Sequence, residues 1–380
     1  MLNNKIDHIT KTPIVIAGAG PAGLAAAITL AQAGCKVIVY EAHKEVGYRF
    51  AKDFQGLENW TTKEDVLSIF TKSGLTTDFK HMPCFHGKVY DYKNKTYQIN
   101  SEKPIFYMVE RGSGSESLDT ALLNQALSLG VEVRFNTRLT KMTGQGILAA
   151  GPKAADAIAV GYHFETDMEN GFWVICDDRL APKGYAYLLV MDGFGTVKSC
   201  MFRGFKHEKN YVQKTILAFQ NLVGLEMKNP KAHGGTGNFH IPDNAYSGRH
   251  PLVGEQAGFQ DTMWGFGMRL AISSGLLAAQ SLLTHENYNT LWQRELMPQL
   301  KTSVVNRTLY SMLGNRGYSW FFKKLASRSD IRAMLRRQYQ PSWYKNLLQP
   351  LANVHYRSNR HDKSCDHINC ECVWCRSKCC

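Results

Sequence analysis

Six residues near the start of the chain, Gly18-Ala19-Gly20-Pro21-Ala22-Gly23, have the types and spacing to hold a pair of phosphates. In such a G-x-G-x-x-G turn the first glycine leaves a strand tightly. The second gives a pyrophosphate access to bare backbone, and the third lets the next helix pack closely on the sheet. Here those positions are Gly18, Gly20 and Gly23, with Pro21 and Ala22 opening the helix. A helix N-terminus adds unpaired N–H groups and a partial positive charge. Glu41, eighteen residues after Gly23, can accept hydrogen bonds from ribose hydroxyls. The chemistry on offer is the grip of a dinucleotide.

The surrounding residues supply the elements that this grip needs. Pro13–Ala17 is a short apolar run suited to a buried parallel strand. Leu24–Ala33 is rich in Ala and Leu and predicts a helix, with Gly34 at its end. Lys36–Tyr40 predicts a second strand with Glu41 at its tip. Strand, turn, helix, strand and acid thus come in the order the fingerprint requires.

Two later segments extend the pattern. Tyr107–Arg111 closes a β-like run. Leu118–Leu129 has helical spacing of Leu and Ala up to Gly130, and Val131–Phe135 reads as a strand. Much later comes Gly248-Arg249-His250-Pro251-Leu252-Val253-Gly254-Glu255-Gln256-Ala257-Gly258. Trp264-Gly265-Phe266-Gly267-Met268-Arg269 follows, with a predicted helix over Leu270–Leu283. In these motifs the chain resembles the geranylgeranyl reductase family of flavoproteins, related to the aromatic hydroxylases, over about Pro13–Leu283. The resemblance implies FAD. It places Glu255 on the flavin's ribityl chain, one methylene longer than the usual Asp, and sets Gly265, Gly267 and Met268 at a helix N-terminus facing the isoalloxazine. It implies that Arg111 contacts the cofactor and that the strand of Val133 touches the adenine. The stretch Gly112–Ser117 departs from the family by separating Arg111 from its helix.

Lys183–Val190 resembles the family's substrate-domain strand, with Tyr185 matching its first aromatic and Tyr187 and Val190 standing for Trp and Pro. In the family this strand borders a tunnel for an isoprenoid tail. An ordinary half-buried strand with both tyrosines on one face explains the same residues. For a reductase, hydride passes from flavin N5 to an alkene carbon while a proton joins its neighbour, and Tyr185 or Tyr187 is a candidate donor beside solvent. Ala149-Ala150-Gly151 and Ala157–Tyr162 replace the Asp-Gly turn of aromatic hydroxylases and leave no evident nicotinamide pocket. Gly234-Gly235-Thr236-Gly237, after Pro230 and His233, reads as a loop and not as a second dinucleotide turn. No CxxxxC follows the first unit, which disfavours a disulfide reductase. The electron donor is ferredoxin-like or NAD(P)H.

The chain's end carries separate chemistry. Of ten cysteines, six fall in the last sixteen residues. Cys365, Cys370, Cys372 and Cys375 make a four-thiolate set, with His367 as a substitute ligand, suited to zinc or an iron–sulfur cluster. An uncomplexed tail is the plainer alternative, and the ending Arg376–Cys380 is not a prenylation signal. Upstream, Arg316–Arg360 holds ten Lys or Arg against Asp330 alone, much of the net +13. Its Trp320, Phe321, Phe322, Trp343, Leu347 and Leu348 suit either a peripheral membrane surface or a helical cap on the flavin domain. Nucleic-acid motifs are absent.

With 380 residues, 44% of them hydrophobic, the chain can bury a large core. It shows no secretory signal, and its most apolar window, Met263–Leu283, is broken by Arg269, Ser273, Ser274 and Gln280. A cytoplasmic protein, peripheral to the inner face of a membrane, is expected. The expected fold is α/β: a Rossmann-like FAD-binding domain with an inserted antiparallel β substrate domain and a helical C-terminal region. The FAD-binding domain takes residues 1–80, 105–165 and 240–285, and the substrate domain 81–104 and 166–239. A basic helical region spans 286–350 and a Cys-rich tail 351–380. The expected function is FAD-dependent oxidoreduction of an apolar small molecule or lipid. The alternatives are a flavin monooxygenase or halogenase acting on an aromatic substrate, and a flavin/metal redox sensor acting through the tail.

Overall fold

The computed structural model describes residues 12–50, 52–355 and 370–377. Cys365, His367, Cys379 and Cys380 lie outside them. At the base is a four-stranded parallel sheet in the order β8-β2-β1-β9. Its strands are β1 (Ile14–Ala17), β2 (Val37–Tyr40), β8 (Glu132–Arg134) and β9 (Gly146–Leu148). Helix α1 (Pro21–Gln32) starts directly after the turn, with Pro21 in its first position, where a missing N–H costs nothing. Leu24 to Ile28 are all buried, because α1 lies between the sheet and two further helices. Those helices are α3 (Leu118–Ser128) and α5 (Met268–Thr284).

Above this base sits a three-stranded antiparallel sheet of β3 (Phe54–Glu58), β7 (Phe106–Glu110) and β4 (His81–Cys84). A seven-stranded sheet forms the second body, in the order β14-β10-β13-β12-β11-β5-β6. Its members are β5 (His86–Asp91), β6 (Thr96–Asn100), β10 (Ala157–Glu165), β11 (Gly171–Cys176), β12 (Tyr185–Met191), β13 (Phe194–Met201) and β14 (Lys228–Gly237). All pairings are antiparallel except β5 with β11. β10 joins this sheet upstream of the boundary expected at residue 165. Gly234–Gly237, expected as a loop, is the end of β14: Gly237 pairs with Ala157 and Gly234 with Val160. Neighbouring strands supplied the pairing that the local glycine content argued against.

Helix α4 (Glu208–Val223) covers one face of the large sheet. The basic region forms α6 (Tyr288–Glu295), α7 (Met297–Ala326), α8 (Ile331–Gln338) and α9 (Trp343–His355). Gly314, at φ +59°, breaks α7 into two helices. Inner side chains of this region, among them Phe322, Leu325, Ile331 and Leu335, join Phe106, Phe172 and Leu189 of the sheets in one core. Arg316, Lys323, Lys324, Arg328 and Arg337 face outward from this helical cap, whereas Arg307, Arg332 and Lys345 are buried in it. The tail ends in a short helix, α10 (Val373–Ser377), against β10 and β14.

Asp261 ties the cap to the flavin-side loop. Its Oδ1 accepts from Ser303 Oγ at 2.5 Å and Tyr339 OH at 2.9 Å, and its Oδ2 from the Trp264 N–H at 2.7 Å. Burial raises this carboxyl to about 6. A folded-state value above the unfolded one, roughly 4, gives stability that is full at low pH and lost as pH rises through the folded value. Asp261→Asn is therefore expected to flatten the decline of stability between pH about 4 and about 6, as read by denaturant titration across that window.

Candidate functional site

A cavity of about 970 Å³ runs from the glycine turn to the helical cap. That is the upper end of ordinary ligand pockets, about 300–1,000 Å³. Its near end is built by the residues read from sequence. Gly18, at φ +109°, turns the chain out of β1, and a Cβ there would lie 2.2 Å from the Ala149 carbonyl oxygen. A Cβ on Gly23 would lie 2.0 Å from the Gly18 carbonyl oxygen. Gly20 differs: a Cβ there meets nothing within 4 Å, and its backbone borders the cavity. Two of the glycines serve packing and one serves access.

Glu41 stands at the end of β2, its carboxylate accepting from the Ala19 N–H at 2.8 Å and the His43 N–H at 3.0 Å. It fixes the strand tip against the turn. His43 stacks on Tyr48 with ring centroids 4.5 Å apart, and both line this end with Arg138 and Leu139. The sequence reading missed these four, which lie in loops without a motif. Val133, expected near the adenine, pairs with Val39 inside the sheet and is not among the lining residues.

Gly265, Gly267 and Met268 meet the cavity at the N-terminus of α5. Neither α1 nor α5 has a side-chain cap, and α4 and α7 also lack one, whereas α2 (Val66–Lys72), α3, α6 and α8 are capped by Asp65, Ser117, Asn287 and Asp330. The two helix starts that open on the cavity therefore present bare N–H donors there. Glu255 also lines it, ion-paired with Arg49 at 3.1 Å. This donor set fits FAD: amides for the pyrophosphate at Gly20–Gly23, an acid near each sugar position, and a helix start for the ring.

Arg111 is buried in the wall. Its Nε and a terminal nitrogen hold Asp119 at 2.7 and 2.9 Å, and its other terminal nitrogen reaches Gln55 Oε1 at 3.2 Å. Gln55 Nε2 donates in turn to Asp53 Oδ2 at 3.2 Å. Asp53 pairs with Lys198 Nζ at 2.5 Å, and Lys198 meets His233 Nδ1 at 2.8 Å. This chain of polar groups along the wall was not read from the sequence. Its members come from segments far apart, and of them only Arg111 sits in a motif.

Beyond it the cavity is apolar, lined by Trp60, Phe106, Phe172, Leu189, Phe266 and Phe322 among others. Tyr185 and Tyr187 lie side by side there, with centroids 5.9 Å apart. The Tyr185 hydroxyl donates to the Trp264 carbonyl. Burial pushes both phenols well above their ordinary range, which makes them weak acids.

The matches to known proteins agree with this geometry. Residues 11–151 match the family described as an FAD binding domain. A digeranylgeranylglycerophospholipid reductase of Haloferax volcanii is 23% identical over 386 residues, covering 83% of this chain and 90% of the relative. This chain is an FAD-dependent oxidoreductase. Its fold is shared with a geranylgeranyl bacteriochlorophyll reductase-like protein of Thermoplasma acidophilum, at TM-score 0.69 and 17% identity over 91% of this chain and 96% of that one. A probable FAD-dependent monooxygenase of Pseudomonas aeruginosa has TM-score 0.61 and 14% identity over 82% and 99% of the two chains.

In this oxidoreductase the tail reaches the same cavity. Cys370, Cys372 and Cys375 bring their sulfurs within 4.8 Å of one another. Glu208 holds the segment, accepting from the Val373 N–H at 2.9 Å and pairing with Arg376 at 2.8 Å. Val373 and Trp374 then line the cavity beside Gly234.

The glycines give a two-sided test. Gly23→Ala forces the helix off the turn and is expected to lower thermal stability sharply. Gly20→Val is expected to keep the melting temperature of the cofactor-free protein while weakening FAD binding by about tenfold or more, ~1.4 kcal/mol. Calorimetry and FAD titration of both variants check this.

Proposed function

We propose that this flavoprotein reduces carbon–carbon double bonds of an apolar, isoprenoid-like substrate. The observation that carries this is one continuous cavity, polar where it meets the glycine turn and lined by aromatic and aliphatic side chains beyond it. An apolar slot of this kind binds a long hydrocarbon through area removed from water. FAD, once reduced, supplies the hydride chemistry. The residues named above bind it, exclude water and orient the chain. The likeness to the Haloferax reductase, named for a glycerophospholipid, supports the substrate class. Electrons come from NAD(P)H or a ferredoxin-like donor. Incubation of dithionite-reduced protein with a geranylgeranyl lipid is expected to add hydrogen pairs to the substrate by mass spectrometry. Oxygenation or halogenation of an aromatic substrate instead overturns the reading.

The outer face of the cap supports delivery from a lipid surface. No helix among the described residues is long and apolar enough to cross a membrane. Yet α9 has two apolar stripes. Leu348 and Ala352 pack on α7, while Trp343 (79% exposed), Leu347 (74%), Leu351 (62%) and Val354 face solvent at helical spacing. Folding does not account for the outer stripe, and the exposed Arg316, Lys323, Lys324, Arg328 and Arg337 elsewhere on the cap favour anionic headgroups. Trp343→Ser with Leu347→Ser is expected to lower co-sedimentation with anionic vesicles about tenfold, ~1.4 kcal/mol, leaving bound FAD unchanged.

Three clustered thiols are a soft donor set for zinc or an iron–sulfur cluster, with Cys365 or His367 as further ligands. Zinc would pin Val373 and Trp374 into the cavity wall, whereas an iron–sulfur cluster would make the tail an electron port. Metal analysis of the purified protein is expected to find one such centre per chain, lost in Cys372→Ser with Cys375→Ser.

A further inference from the structure

Lys198 lies in the cavity wall with 2% of its surface exposed. A buried ammonium is unfavourable unless it is paired and hydrogen-bonded. Its partners are Asp53 Oδ2 at 2.5 Å and His233 Nδ1 at 2.8 Å. An ammonium can only donate, so Nδ1 is the bare nitrogen of His233. The hydrogen then sits on Nε2, which donates to the Arg49 carbonyl at 2.7 Å. Asp53 is fully buried, and its Oδ1 has no hydrogen-bond partner among the described residues.

Folding does not require this arrangement. Apolar side chains of the same volume would fill the space at least as stably. The trio is also assembled at the substrate end. Lys198 pairs across the sheet with Tyr187, and both side chains line the cavity. His233 lies where β14 passes from exposed residues 228–232 to the covered glycines, between Lys198 and solvent.

We propose that Lys198 Nζ is the proton donor for double-bond reduction, with Asp53 and His233 as positioning residues that hold it. The proposal rests on the reductase reading above. Lys198 Nζ gives its proton to the alkene carbon beside the one that takes hydride. Two C–H bonds replace the π bond: one from the hydride that reduced FAD would supply, carrying both electrons, and one from the Lys198 proton, which leaves Nζ a neutral amine. A proton from solvent restores the ammonium, which His233 Nδ1 and Asp53 Oδ2 then hold again.

The electrostatics suit a donor. Burial lowers the Lys198 ammonium, partly offset by Asp53, so it yields its proton more readily than an ordinary lysine. Burial raises the Asp53 carboxyl, but the Lys198 ammonium outweighs this and keeps it ionised. Burial, then Lys198, keeps His233 neutral below its ordinary range. The other titratable groups facing the trio are His163, Tyr187, Cys200, Lys52 and Arg49. Tyr185 and Tyr187, shifted the opposite way, are the poorer acids.

Two measurements on the FAD-loaded protein test the assignment. In the first, ¹⁵N-lysine NMR without substrate follows titration. One ammonium is expected to lose its proton below the ordinary lysine range, to vanish in Lys198→Met, and to titrate lower still in Asp53→Asn. In the second, single-turnover reduction of a geranylgeranyl lipid is followed against pH. Wild-type activity is expected to fall as that lysine deprotonates, earlier in Asp53→Asn. Lys198→Met and Lys198→Arg are expected to lose about a hundredfold or more, with the flavin spectrum and midpoint potential retained. If Lys198→Met fails to fold, Lys198→Met with Asp53→Asn removes both charges and is expected to show the same loss. Active wild type with equally active Lys198 variants, or no lysine titrating low, overturns the donor role alone. Wild type that reduces no isoprenoid overturns the reductase reading and the donor role with it.

Discussion

Close backbone-to-backbone packing at three glycines sets the geometry of this flavoprotein. Gly18 lies against Ala149, Gly23 against Gly18, and Gly275 against Ala22, where a Cβ would come within 2.1 Å of the carbonyl oxygen. A side chain at any of them would push an element away. Because α1 and α5 touch through Ala22 and Gly275, their two uncapped starts are held in one orientation toward one cavity. Bare N–H donors at a buried helix start are unfavourable without a partner. A cofactor carrying two phosphates and an electron-accepting ring answers both.

The polar chain along the wall extends that logic toward the substrate. Asp119, Arg111, Gln55, Asp53, Lys198 and His233 are linked hydrogen bond to hydrogen bond. Arg111, expected from the resemblance to touch the cofactor, spends its Nε and one terminal nitrogen on Asp119 and anchors the chain. Such a network is favourable when its members are satisfied and unfavourable when one is not. Its one unsatisfied oxygen, on Asp53, sits beside the ammonium that faces the cavity. The apolar cap closes over this end, and low polarity there strengthens each charge interaction. The polar chain and the apolar lining therefore share one compartment.

How much of this the sequence disclosed follows from the range of the interactions. The glycine turn, Glu41 and the start of α5 are local: each is a short run whose turn, cap or helix is decided by its own residues. β12 was equally readable, with Tyr185 and Tyr187 on one face. Gly234–Gly237 was misread because its strand exists only through pairing with β10, 74 or more residues earlier in the chain. Lys198, Asp53 and His233 carried no signal at all. Their meaning arises from burial and from one another, across separations of 145 and 35 residues. Arg49, bridging to Glu255 over 206 residues, was hidden for the same reason.

The central claim is that FAD rests its pyrophosphate on the open backbone of Gly20 between two uncapped helices. The most direct test is the visible absorption spectrum of the protein after exposure to FAD and thorough desalting. A retained flavin spectrum, shifted from that of free FAD, at one flavin per chain is expected. A folded protein that emerges colourless would contradict it.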